Sequence, residues 1–238
     1  MARLMTRRGA SAALAATALL PRRARAEANV DVQLVLAVDT SGSVNRERFE
    51  LQRLGYAAAF RSEEVLKTIR NGQTGAVAIT MTQWTGPSQQ VQVVPWTRIA
   101  DRAGFNALSQ AIEDTPRRLY GGGTSISGAI DHAKTLFPAC PFPGLRRTID
   151  VSGDGATNRG RPSYMARDEA VADGITINGL PILALERDLD EHYRDLVIGG
   201  PGAFMVVTET FETFGEAVRR KLIQELAWWQ PGPRMTRV

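Results

Sequence analysis

The sequence is poor in the residues that most often carry covalent structure and catalysis. It has one cysteine and two histidines in 238 residues. A single cysteine excludes an internal disulfide. Cys140 sits in Pro138-Ala139-Cys140-Pro141, a connecting segment, where a free thiol behaves as a small apolar residue; a reactive thiol or a pairing between chains is the other reading. Serine hydrolysis needs a base, and only His132 and His192 are available. Both fall in helical stretches, and neither lies near a Gly-x-Ser-x-Gly elbow. Surface or boundary positions suit them better.

Other absences narrow the field further. The apolar, alanine-rich run at 10–20 falls short of the roughly 20 residues a membrane-spanning helix needs. No strand is followed by Gly-x-Gly-x-x-Gly, and no P-loop lysine follows a glycine-rich stretch, which argues against nucleotide binding. Asp39-Thr40-Ser41-Gly42 superficially suggests an aspartic protease, but the glycine comes one place late, no second copy exists and the chain is not β-rich. There is no internal repeat and no low-complexity linker.

The positive charge is also less than it first looks. Residues 1–26 combine Arg3, Arg7 and Arg8 with the short apolar run and end in Ala24-Arg25-Ala26, the layout of a cleavable secretory signal. Arg7-Arg8 is compatible with twin-arginine export, and an ordinary secretory route is equally compatible. That segment holds six arginines and no acidic residue, so removing it takes the formal net charge from +4 to −2. The rest carries no basic face for nucleic acid; Arg146-Arg147 and Arg219-Arg220-Lys221 read as solvated faces and helix ends. The expected layout is a signal at 1–26, one domain at 27–226 and a C-terminal tail at 227–238. Trp228 and Trp229 are expected to fold back on the domain as an apolar clasp, or else to meet a partner or membrane surface.

What the sequence does contain is alternation of strands and helices. An apolar, valine-rich run at 32–38 reads as a strand covered on both faces. Asn45 caps a helix continuing through Phe60, and a short helix follows from 62 to 69. Strands at 76–84 and 91–96 flank the turn residues Gly86-Pro87-Ser88 and form an antiparallel hairpin. Helices are expected at 101–114, 125–137, 162–173, 189–197 and 211–226. Further strands are expected at 148–151, 175–180 and 204–207. This is an α/β chain, doubly wound, with a mostly parallel central sheet, one antiparallel edge strand and helices on both faces.

Three oxygen-rich motifs fall at one rim of that sheet, where α/β folds bind ligands. The first strand ends in Asp39-Thr40-Ser41-Gly42-Ser43. A glycine run leads to Thr124 in Gly121-Gly122-Gly123-Thr124-Ser125. A later strand runs into Ser152-Gly153-Asp154-Gly155. Two carboxylates and three hydroxyls are the donors a hard divalent cation takes. Turn and cap duty is the competing reading for any one of these motifs, but three on one rim favour a metal site. Ser152 and Asn158 are expected to shape the Asp154 loop.

The order of these motifs resembles the von Willebrand factor A domain, over the whole stretch from about 30 to 226. Trp84-Thr85-Gly86-Pro87, Gly121 through Ile130, Val151 through Gly155 and Ile177 through Ile182 are similar to an uncharacterised family of exported bacterial von Willebrand A-like proteins. The resemblance implies a metal-ion-dependent adhesion site with Ser41, Ser43 and Thr124 as hydroxyl ligands, and with Asp39 and Asp154 acting directly or through water. It implies magnesium, manganese or calcium as the ion, and a protein partner presenting Asp or Glu. The expected protein is not an enzyme, binds no nucleic acid and is periplasmic or secreted. A metal-dependent hydrolase on the same site, or a scaffold with a purely structural ion, are the alternatives.

Overall fold

The computed structural model describes residues 29–227. The expected signal at 1–26, Trp228-Trp229 and the rest of the expected tail lie outside the described residues. Five strands form one sheet: β1 (Val30–Asp39), β2 (Val77–Trp84), β3 (Gln90–Ile99), β4 (Gly144–Gly153) and β5 (Thr176–Pro181), in the order β3-β2-β1-β4-β5. β1 pairs in parallel with both β2 and β4, and β4 with β5. β3 is the antiparallel edge.

Every residue of β1 is buried. Side chains alternate across a strand, so Val32, Leu34, Leu36 and Val38 face one helical layer and Val35 and Ala37 the other. The first layer is α1 (Arg46–Ala59), α2 (Glu63–Arg70), α3 (Arg102–Glu113) and α7 (Phe214–Leu226). The second is α4 (Ile126–Leu136), α5 (Ser163–Ala172) and α6 (Leu189–His192), which runs on into a π-helical turn at Tyr193–Val197. Local chemistry sets the starts of three helices. Asn45, Asp101 and Ser125 each accept the backbone N–H three residues on, at 2.9, 2.9 and 3.2 Å. α1 and α7 approach closely because both carry glycine at the crossing; a Cβ on Gly55 would stand 3.0 Å from Gly215 Cα.

Several expectations need correction. β4 is longer than 148–151. Residues 204–207 do not form a strand; they meet β5 at one isolated bridge, Gly179 with Met205, and a second, Ile182 with Thr208, follows just past both segments. The reason is Pro181: Val206 N donates to Gly179 O and Thr208 N to Pro181 O, but the rung between them needs an N–H that proline lacks. The last helix begins at Phe214, not 211, because Thr208, Thr210 and Thr213 hydrogen-bond one another in a turn ahead of it.

The largest correction concerns Lys221. It is fully buried, with Nζ 2.7 Å from Asp150 Oδ1 and 3.3 Å from Glu225 Oε2. Glu225 is also held by Asn178 Nδ2 at 2.7 Å. Burial raises the Asp150 carboxyl and Lys221 opposes the rise. A helix-pattern reading assigns a charge run to solvent; here a strand carboxylate on the covered face supplies the partner that lets the lysine turn inward. Arg146 is not a free surface charge either, since it donates to the carbonyls of Glu225 and Ala227 at the end of α7.

Candidate metal centre

β1 and β4 are adjacent and parallel, so their carboxyl ends deliver Asp39 and Asp154 to the same rim. Asp39 is the last residue of β1 and Asp154 follows the last residue of β4. Both are buried. The chain turns sharply after β1, with Ser41 N donating to Asp39 Oδ1 at 2.7 Å. That turn brings Ser41 Oγ to 3.1 Å from Ser43 Oγ, and Ser43 Oγ donates to Asp154 Oδ1 at 2.5 Å. Thr124 lines the same opening as Ser43 and Asp154, a cleft of ≈ 310 Å³ bounded by Gly42, the three glycines before Thr124, Gly155, Asn158, Leu185 and Glu186. Ser43, Thr124 and Asp154 therefore share one opening, and Asp39 and Ser41 adjoin it through the hydrogen bonds that run from Asp39 to Ser43.

The glycine run has a steric reason. Gly121, Gly122 and Gly123 take φ of 65°, 90° and 84°, a region that side chains strongly disfavour. The loop also lies directly against the backbone of the hairpin turn: a Cβ on Gly86 would fall 2.4 Å from Gly122 O. Asn158 then fixes Thr124 by accepting its N–H at 2.9 Å, while Thr124 O accepts the N–H groups of Asn158 and Arg159. The expected role of Asn158 in shaping the Asp154 loop is thus a role in holding the Thr124 loop. Ser152 does not shape that loop either; its hydroxyl accepts from Tyr56 at 3.3 Å and lies 3.5 Å from Ala37 O.

The electrostatics call for a cation. Burial, and then the charge of Asp154, push the Asp39 carboxyl up to about 7; its hydrogen bonds with Ser41 offset only part of this. Burial also raises Asp154, opposed by Ser43 and by Arg48. Asp39 Oδ2 and Asp154 Oδ2 are buried with no hydrogen-bond partner. Two such carboxylates cannot both ionise cheaply without a nearby positive charge. Arg48 supplies a partial one, with Nη1 3.7 Å from Asp154 Oδ2 while donating to Ser43 O at 2.8 Å. Among the described residues no group of three or more His, Cys, Asp or Glu side chains is placed to hold a metal. The donor set here is instead two carboxylates with hydroxyls, which fits a hard ion that keeps waters and does not fit a soft one.

Sequence reasoning missed four supporting residues: Arg48; Arg117, which donates to the carbonyls of Thr40 and Ser41; Glu186, which accepts from Ala156 N at 2.8 Å; and Asn158 in its actual role. None has a local motif. His132 and His192 are half-buried, burial lowers both imidazoles, and neither lines the cleft. Cys140 lies in the connection before β4, where burial raises its thiol.

No curated protein matches the chain. Proximal thread matrix protein 1 from the mussel byssus superposes with a TM-score of 0.61 at 17% identity, covering 83% of this chain and 48% of that one. Another structure of it, described as having a zinc-occupied MIDAS motif, gives 0.58 at 16% identity, with 82% and 48% covered. A von Willebrand factor type A protein from Catenulispora acidiphila gives 0.56 at 17%, with 83% and 43% covered. BatB from Bacteroides thetaiotaomicron gives 0.52 at 17%, with 82% and 98% covered. The chain thus spans about half the length of the byssus protein and nearly all of BatB. At these identities the likeness establishes the fold. Residues 29–229 match the family described as "Protein of unknown function (DUF1194)". The chain is a member of the DUF1194 family, and its fold is that of a von Willebrand factor A domain.

Proposed function

We propose that the rim holds one divalent cation, magnesium or manganese before calcium, and that the ion recruits a carboxylate from a protein partner. The observation that carries this reading is the pair of buried carboxylates, Asp39 and Asp154, each with an unpartnered oxygen, beside the hydroxyls of Ser41, Ser43 and Thr124. Ser41, Ser43 and Thr124 would hold the ion through oxygen, and the two aspartates directly or through water. An ion with so few anionic ligands keeps its attraction for an incoming carboxylate. The zinc-occupied MIDAS motif described for the byssus protein, which shares this fold, supports the metal reading.

The surroundings favour recognition over catalysis. One large apolar side chain on the lip of the cleft is open to solvent, Leu185, 52% exposed. An exposed leucine next to a charged centre suits a protein contact. Metal-assisted hydrolysis would need a base at the ion; apart from Asp154, Glu186 is the one carboxylate lining the cleft, and it is engaged with Ala156 N. The sequence signature at 1–26 places the domain outside the cytoplasm in this reading, and the mature chain is expected to start at Glu27.

Titration calorimetry with magnesium or manganese tests the ion, and capture of partners with and without chelator tests recognition. Binding by the wild type that is lost in Asp39→Ala, together with chelator-released partners, is the expected result. Partners retained equally in chelator would refute the metal bridge.

A further inference from the structure

Tyr193 is fully buried, and its phenolic oxygen has no hydrogen-bond partner. A buried hydroxyl left unpaired costs on the order of 1–3 kcal/mol, so such a group needs a reason. It cannot escape by ionising: burial, and then the charges of Asp39, Asp150 and Asp154, push its ionisation well above the usual range. The phenol is therefore a hydrogen-bond donor in search of an acceptor.

Two glycines show where the acceptor is. The ring of Tyr193 lies over Gly179 of β5, where a Cβ would come within 2.6 Å of its Cδ1. Gly153 at the end of β4 makes the second space. A Cβ built there would stand 3.0 Å from Tyr193 Oη and 3.0 Å from Asp39 Oδ2. Tyr193 Oη and Asp39 Oδ2 thus both lie close to the Gly153 backbone, near enough to each other for one water to bridge them; one is a donor and the other an acceptor with lone pairs to spare. No direct bond joins the two. A bridging water needs at least two polar partners, and these two atoms supply them.

We infer that Tyr193 is a positioning residue of the cation site, its hydroxyl holding Asp39 Oδ2 through one bridging water. Ser41 N already fixes the other oxygen of Asp39. With both oxygens tied, the carboxylate cannot rotate, and its plane is set before any ion arrives. The role in metal affinity rests on the cation reading above; the hydrogen-bonded link itself does not. Partners that orient metal ligands in this way typically change affinity 10- to 100-fold when removed.

The test uses the whole domain. Tyr193→Phe keeps the ring over Gly179 and removes only the hydroxyl. It should weaken magnesium binding about tenfold by calorimetry, while the melting temperature in chelator falls only slightly, as the loss of one water-mediated hydrogen bond requires. Gly153→Ala, which sets a methyl group 3.0 Å from both atoms and so displaces a water between them, should weaken magnesium similarly. A crystal structure of the chelated wild type should show a water bonded to Tyr193 Oη and Asp39 Oδ2, and that of Tyr193→Phe should lack it. Wild-type affinity in Tyr193→Phe, or no such water, would overturn the inference. If the water is present but the wild type binds neither magnesium nor manganese, the cation reading fails and the Tyr193–Asp39 link stands.

Discussion

Replacing Asp39 by asparagine is the sharpest single test of the charge argument. The amide keeps the shape, and its oxygen can still accept from Ser41 N, but the buried charge is gone. A carboxyl moved from 3.8 to about 7 corresponds to about 4 kcal/mol of cost for the ionised form. The sign follows from proton binding. Between those two values the folded protein holds a proton that the unfolded chain has released, so stability in chelator falls as pH rises through this window. The cost of Asp39 is partial at pH about 5 and complete above about 7, a difference of about 2–3 kcal/mol. Asp39→Asn lacks this slope. Measured by thermal melting in chelator, the variant should gain on the wild type by about 5–10 °C between pH about 5 and about 8, at roughly 2–4 °C per kcal/mol for a domain of this size. Magnesium should reverse the order. It competes with the proton, so its stabilisation of the wild type should grow as pH rises through about 7, and the variant should show none. A gap between the two proteins that stays constant with pH would refute the assignment of a strained, buried carboxylate at Asp39.

The rim was legible in the sequence because each of its motifs is local. Asp39, Ser41 and Ser43 share one strand end, and the glycine run ahead of Thr124 announces a backbone that needs positive φ. Strand alternation and the Asn45 and Asp101 caps are likewise short-range signals, and those elements form close to where the pattern puts them. What stayed hidden depends on partners far apart in the chain. Lys221 looks like any helix-surface lysine until Asp150, 71 positions earlier, is placed opposite it. Arg48 reads as a first-turn helix residue, and its tie to Asp154 exists only after β1 and β4 are paired. The strand expected at 204–207 failed for a nearer reason: its apolar pattern was right, but the rung it needed belonged to Pro181 on the neighbouring strand. Periodicity reports which face of an element is buried; it does not report what the buried polar atoms will find there.

Three further outcomes are expected. Thr124→Ala should weaken magnesium binding and chelator-sensitive partner capture more than it lowers the melting temperature, because Thr124 lines the cleft and its backbone is held independently by Asn158; equal losses in both would count against a ligand role. Leu185→Ser should reduce partner capture while leaving magnesium affinity unchanged, and a loss of metal affinity instead would show that this side chain supports the site and not the contact. Lys221→Met should destabilise the fold by about 3–5 kcal/mol, since it leaves Asp150 and Glu225 facing each other in a dry interior. Adding Asp150→Asn should recover part of that loss, because the second change removes the uncompensated charge that the first one exposed. A Lys221→Met protein that melts within about 2 °C of the wild type, less than 1 kcal/mol at this size, would mean that the triad carries no net electrostatic weight and that α7 is held by its apolar face alone.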